Sequence, residues 1–194
     1  MTTPPEATLS KGLADRPITA PHQVWVADIT YLRLREEFIF LAVVLDAFSR
    51  RVVGWELGES LQASLVLQAL NRALADRPVP AGLIHHSDQG VQYASVELVD
   101  RLLECGFQIS MSRKGSPWEN GRVESFMKTL KAEEVSLKQY RNREEARRSI
   151  GHFLEEVYNQ RRLHSALGYL PPAEFERDWQ NQNNKEAAAR QLPL

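Results

Sequence analysis

The stretch QVWVADITYLRLREEFIFLAVVLDAFSRRVVGWEL, residues 23–57, decides the fold. Gln23 to Leu34 alternates around the β-formers Val24, Val26, Ile29, Tyr31 and Leu32, which predicts a strand. Arg35-Glu36-Glu37 is a polar turn. Phe38 to Asp46 is continuously apolar up to its last residue, which predicts a second strand buried on both faces. Ala47-Phe48-Ser49-Arg50 turns the chain again, and Arg51 to Leu57 reads as a third strand. Three strands joined by short turns predict an antiparallel meander.

Outward from the meander the period changes. Leu61, Leu65, Leu67, Ala69, Leu70 and Leu74 suit a helix that ends before Pro78. Gly82 to His86 predicts a short fourth strand, Val96 to Cys105 a second helix stopped by Gly106, and Phe107 to Met111 a fifth strand. A polar loop, Ser112 to Pro117, leads into a long helix over about Trp118 to Glu134, and another helix is expected over Arg143 to Tyr158. Pro171-Pro172 opens a last short helix through Phe175, and the chain is expected to fray from Gln180. The order β-β-β-α-β-α-β-α-α predicts an α/β fold: a five-stranded mixed sheet, three antiparallel strands then parallel additions, with helices on both faces. That arrangement fits an RNase H-like fold. Residues 1–16 are expected to form a flexible tail, 17–177 the core with a helical extension, and 178–194 a polar tail.

The composition is that of an ordinary globular chain. Its 194 residues are 43% hydrophobic and 25% charged, enough for one domain with a sizeable core. No apolar run approaches the ~20 residues that span a bilayer, and the first residues carry no signal-peptide pattern. A membrane partner is therefore not expected. The single cysteine, Cys105, allows neither an internal disulfide nor a cysteine-built zinc site, and reads as a small core residue in a reducing cytoplasm. The net charge of −1 conceals an asymmetry. Residues 113–148 hold 10 basic and 6 acidic side chains. A basic face of this kind binds phosphate at an ordinary overall pI, although a solvated helix surface gives the same counts.

Three carboxylates stand where chemistry is possible. Asp28 lies mid-strand, where an acid is costly unless solvated, paired or on metal. Asp88 lies just past the fourth strand, at the edge where parallel sheets hold ligands. Glu124 falls beside the helical stripe Val123, Phe126, Met127, Leu130, in a row with Asn120, Lys128 and Lys131. Three converging carboxylates supply the hard oxygens that Mg²⁺ takes, and two ions can then activate one oxygen and stabilise another. Each acid also has an ordinary role open to it: Asp28 in an arginine pair, Asp88 in an Asx-turn, Glu124 in an i,i+4 pair with Lys128.

Five blocks carry a resemblance. WVADITYL (25–32), VVLDAFSRRVVGW (43–55), HSDQGVQY (86–93), SRKGSPWENGRVESFMKTLK (112–131) and YNQRRLHSALGYLPPAEF (158–175) resemble the catalytic core of insertion-sequence family-three, OrfB-type, DDE transposases, which are related to retroviral integrases. The resemblance covers roughly residues 17–177, and 35 residues separate Asp88 from Glu124, as in the D,D(35)E signature.

The resemblance implies that Asp28, Asp88 and Glu124 are catalytic and bind two Mg²⁺ ions, with Mn²⁺ able to substitute. It implies hydrolysis at the ends of a DNA element and attack of the freed 3′-hydroxyl on target DNA. Its implied partners are transposon-end and target DNA, other copies of the chain on that DNA, and an upstream helix-turn-helix protein or a full-length transposase. The implied setting is the bacterial cytoplasm, at the nucleoid when on DNA. Two departures stand out. Glu119-Asn120-Gly121 replaces the usual Asp-Asn-Ala, and about twenty aperiodic residues stand where a helix-turn-helix region is expected. The chain thus reads as a core fragment, a shortened product or half of a split system. A non-catalytic DNA-binding or oligomerising fragment, or an RNase H-like nuclease, is the alternative.

Other residues have expected roles. His86, Arg113, Lys114, Asn120, Lys128, Lys131, Arg161 and Arg162 are candidate DNA contacts. His85 is expected in packing, because neighbours on a strand face opposite ways. Asp46 is expected as a turn cap rather than a fourth metal-proximal acid. Trp25 and Trp55 are expected in the core, and Trp118 either anchors its loop or stacks on a base.

Overall fold

The structure is a computed structural model that describes residues 17–75, 77–112 and 121–190. One mixed sheet holds β1 (Val24–Arg33), β2 (Phe38–Asp46), β3 (Val52–Gly58), β4 (Ile84–Ser87) and β5 (Gln108–Met111), in the spatial order β3-β2-β1-β4-β5. β1, β2 and β3 form the antiparallel meander, and β4 and β5 add in parallel beside β1. The helices are α1 (Ala63–Ala75), α2 (Val96–Glu104), α3 (Gly121–Glu133), α4 (Arg143–His152) and α5 (Pro172–Arg190). This is the RNase H-like arrangement. The expected start of α3 at Trp118 lies outside the described residues.

Strand alternation divides the core in two. Val24, Val26 and Leu32 of β1 pack with Val123, Phe126 and Leu130 of α3 and with Ile150 of α4. Trp25 and Ala27 pack on the other face with Leu65 and Leu70 of α1 and Leu98 and Leu102 of α2. Trp25 and Trp55 are both buried, and Cys105 is a half-buried neighbour of the second cluster.

α1 approaches β3 so closely that only glycine fits at position 54. A Cβ there would lie 2.2 Å from the carbonyl oxygen of Ala69 and 2.8 Å from the Cβ of Ala73. Backbone cannot swing aside as a side chain does. Gly54→Ala is expected to cost about 1–3 kcal/mol of stability, measured by urea unfolding.

Two helical segments differ from the sequence expectation. The helix expected over residues 143–158 is α-helical only to His152 and widens to a π-helical turn over Phe153–Tyr158, where the Asn159 N–H donates to the Leu154 carbonyl at 3.2 Å. The wider turn aims Asn159 at the edge strand β3. Its Oδ1 accepts from the Val52 N–H and its Nδ2 donates to the Val52 carbonyl, both at 2.9 Å. The final helix does not stop near Phe175, nor does the chain fray from Gln180; α5 continues to Arg190. Phe175 and Trp179 pack their rings on Phe48, and Glu176 accepts from Arg51 and from the Ser49 hydroxyl. With the first turns anchored, the costly helix nucleus is already in place, and the run Lys185-Glu186-Ala187-Ala188-Ala189 propagates it.

Candidate active site

β1 outruns its parallel neighbour. The β1–β4 register ends near Val26↔His86, and β4 stops at Ser87 while β1 continues to Arg33. Carrying that register two residues further sets Asp88 level with Asp28. Asp28 belongs to the same alternating set as Val24 and Val26, the face covered by α3, and α3 presents Glu124 in its first turn. The sheet narrows at this point, which leaves Asp28 half-buried rather than sealed.

The electrostatics of Asp28 report its neighbours. Its carboxyl is pushed up to about 6, first by burial, then by the negative charges of Asp88 and Glu124; the Ile29 amide and the Lys131 ammonium pull the other way. Asp88, just past β4, and Glu124, on α3, therefore each lie within electrostatic reach of Asp28. One oxygen of Asp28 accepts from the Ile29 N–H at 2.8 Å, and one of Asp88 accepts from the Gly90 N–H at 3.0 Å. Asp88 thus makes the Asx-turn that its sequence context allowed, while its second oxygen has no hydrogen bond among the described residues.

Tyr93 was not singled out in the sequence. It is 3% exposed, and its hydroxyl is buried without a hydrogen-bond partner among the described residues. Burial and the charges of Asp28 and Asp88 push its ionisation well up. With Asp88, Thr30 and Gln92 it lines a cleft of about 210 Å³. The place of this residue in HSDQGVQY, five after Asp88, was the available signal.

Among the described residues no three His, Cys, Asp or Glu side chains stand close enough to grip a single ion as placed. The donor chemistry nevertheless fits a hard divalent cation: three carboxylates, an acid already disfavoured as an anion, and an orphaned hydroxyl beside it. Such a cation would offset both the burial and the neighbouring negative charges that raise Asp28.

The raised Asp28 carboxyl has a testable sign. The folded chain holds the Asp28 proton up to about pH 6, and the unfolded chain only to about 3.8. The folded state therefore binds more protons between these values, and the contribution of Asp28 to stability falls as pH rises through the window. Asp28→Asn keeps the acceptor for Ile29 and removes the charge. It is expected to raise the Tm of the metal-free protein at pH 7 by several degrees, at ~2–4 °C per kcal/mol for a chain of this size, with the gain vanishing toward pH 4. Equal Tm values at both pH values would refute this.

The other candidates are dispersed. His86 is 1% exposed, with Nδ1 3.0 Å from the Ser110 hydroxyl and Nε2 3.3 Å from that of Ser112, so it braces β4 and β5 from inside and offers DNA no surface. Its expected role as a DNA contact is corrected accordingly. His85 faces the other way, packs on Tyr93, and is pushed down to about 4 by burial and then by His86. Lys128 and Lys131 are exposed on the row of Glu124, with the Lys131 ammonium 5.6 Å from the Tyr31 ring centre. Arg161 is exposed, whereas Arg162 is clasped by both carboxylate oxygens of Glu133, with its Nε at 2.8 and 3.0 Å. Asp46 is fully buried and accepts from the His22, Phe48 and Ser49 amides, as a turn cap does. Arg113, Lys114, Trp118 and Asn120 lie outside the described residues.

Comparison with known proteins bears on the family and the fold. The integrase core domain family matches residues 18–117 and 105–172. The chain is 42% identical over 159 residues to the transposase of insertion sequence element IS904 from Lactococcus lactis subsp. lactis (strain IL1403), covering 82% of this chain and 63% of that protein. It is 40% identical over 158 residues to transposase InsF of insertion sequence IS3A from Escherichia coli (strain K12), covering 81% of this chain and 55% of that protein. The chain thus spans between half and two thirds of the length of these relatives. In fold it is similar to the HTLV-2 integrase catalytic core domain in complex with magnesium, with a TM-score of 0.56 at 19% identity over 75% of this chain and 92% of that one. It is also similar to a chain of the simian T-cell lymphotropic virus intasome, with a TM-score of 0.68 at 19% identity over 89% of this chain and 60% of that one. With the family model matching residues 18–117 and relatives about 40% identical over four fifths of the chain, on an RNase H-like sheet, the chain belongs to the integrase core domain family.

Proposed function

We propose that this chain is the catalytic core of a DNA transposase, in which Asp28, Asp88 and Glu124 hold two divalent cations, Mg²⁺ with Mn²⁺ able to substitute, for cleavage and strand transfer at the ends of a mobile element. The observation that carries the reading is that the charges of Asp88, just past β4, and Glu124, on α3, both bear on the Asp28 carboxyl of β1. The retention of all three acids supports an enzyme over a non-catalytic fragment. When bound, the ions activate the attacking oxygen and stabilise the leaving one.

Both reactions are displacements at phosphorus. In cleavage a water oxygen forms the new P–O bond and a 3′-oxygen leaves as a hydroxyl. In strand transfer that hydroxyl attacks a target phosphodiester, and a target 3′-hydroxyl leaves. No side chain becomes covalently attached. The chain holds the acids in place through the Ile29 and Gly90 amides, and the Tyr93 hydroxyl is available as a donor beside Asp28 and Asp88. Lys128, Lys131 and Arg161 are placed on exposed surface to take DNA phosphates, with Arg113, Lys114 and Asn120 as further contacts.

The reading extends to partners. The chain works as a homo-oligomer on paired DNA ends, consistent with the dimeric and trimeric forms of the HTLV-2 core. A helix-turn-helix unit, on the same chain or a separate one, recognises the ends, and the greater length of the relatives leaves room for it. Among the described residues no helix is long and apolar enough to cross a membrane, and the proposed setting is the bacterial cytoplasm. Metal-dependent nicking of labelled element-end DNA by the wild type, and none by Glu124→Gln, is the expected outcome. Equal nicking by both rejects the assignment.

A further inference from the structure

On the far flank of α3 from the acids lies a cavity of about 660 Å³ whose lining includes Arg50, Arg122, Ser125, Tyr158, Arg162 and His164. At 3.6 residues per turn, Arg122 and Ser125 stand about 100–160° round the helix axis from Glu124, so one helix separates the two sites. Three guanidinium groups share this space. Glu133 answers the charge of Arg162. Neither Arg50 nor Arg122 has an ion-pair or hydrogen-bond partner for its side chain among the described residues, although both are partly buried. Arg122 Nε and His164 Nε2 are buried with no hydrogen bond among the described residues, and burial, then the neighbouring Arg122 charge, make the Arg50 cation less favourable, with Tyr158 and Asp46 pulling the other way.

The backbone adds a second, independent sign. Arg50 holds a left-handed conformation, φ 62°, in the turn after β2. Glycine or asparagine fills such a position at less cost. Arg50 instead carries a guanidinium into the cavity, and cations without a side-chain partner held beside orphaned nitrogens are a setting for an oxyanion.

We infer that this cavity is a phosphodiester site, formed by Arg50, Arg122 and His164, that takes the DNA backbone at a point one helix-width away from the three acids. The inference rests on the DNA-cutting reading above and adds to it a grip on the duplex that is separate from the chemistry. Residues 121, 124, 125, 128, 131 and 132 of α3 are exposed, so a duplex lying along that side meets the acids at one margin and the cavity at the other.

The test uses the whole chain and a labelled duplex, with chelator present so that binding is read without cutting. Arg50→Gln and Arg122→Gln are each expected to weaken binding about tenfold, and to make the slope of log affinity against log salt shallower by about one phosphate contact. Arg190→Gln, on the exposed end of α5, is the control for charge loss elsewhere. A second measurement needs no variant. The His164 imidazole, ringed by Tyr158, Arg162, Arg50 and Glu133, is held down to about 4 by burial and the two arginines. An anion in the cavity is expected to raise that value, read by NMR titration with inorganic phosphate and with duplex. A shift with both supports the site. A shift with phosphate that duplex does not reproduce assigns the cavity to a small phosphate and overturns the proposal. Wild-type nicking together with unchanged binding by both arginine variants overturns the cavity and leaves the function standing. A wild type that neither binds nor nicks DNA overturns both.

Discussion

Glu124→Gln is expected to abolish metal-dependent nicking and strand transfer, with a loss of at least about a thousandfold, while the fold is unchanged. Glutamine keeps the length and the hydrogen-bonding oxygen of glutamate and removes only its charge. Glu124 is exposed on α3, so the stability change should lie within about 0.5 kcal/mol. Asp28→Asn and Asp88→Asn should lose nicking to the same extent and keep the fold, because asparagine still accepts from the Ile29 and Gly90 amides, with Asp28→Asn gaining the stability described above. If the three acids share cations, as proposed, their losses should not add: a double variant should be no worse than either single one. Gel assays of labelled DNA with Mg²⁺ or Mn²⁺ measure this, and circular dichroism checks the fold. Nicking retained by all three single variants would sink the assignment.

Asn159→Ala is expected to be the costliest single change to stability outside the two cores, at about 2–5 kcal/mol. The Asn159 side chain satisfies both the N–H and the carbonyl of Val52, and both residues are buried. Alanine leaves two backbone groups without partners and without water, at about 1–3 kcal/mol each. Asn159→Asp is a sharper variant: it keeps the acceptor for the Val52 N–H but sets a carboxylate against the Val52 carbonyl. It should be at least as damaging as alanine at neutral pH and recover in acid. Denaturant midpoints across pH measure both, and a midpoint within error of wild type for Asn159→Ala would show that the clasp contributes nothing.

The meander was legible because period-two alternation and two short polar turns leave few other structures for residues 23–57. The acids were legible one by one, as an acid mid-strand, an acid at a strand end and an acid beside a helical stripe. Their convergence was not, because it depends on β4 stopping at Ser87, one residue before the position level with Asp28. Tyr93 escaped notice because the polar turn around it drew attention to Asp88, and only burial of its hydroxyl distinguishes it. Arg50 and Arg122 are 72 positions apart and each looks like a solvated surface charge; the fold alone makes them neighbours. The π-helical turn has no signature that separates Leu154, Val157 and Tyr158 from an ordinary apolar stripe. Helix α5 was underestimated because a polar composition says little about a segment whose first turns are pinned by Phe175 and Trp179.

The second half of α5 leaves the body of the protein after Trp179 and stays exposed to Arg190. At ~1.5 Å per residue it forms a stiff spur of about 16 Å that no core packing depends on. A fluorophore or affinity handle at its tip would tumble with the whole particle, and would report on its size in solution without perturbing either the acids or the sheet.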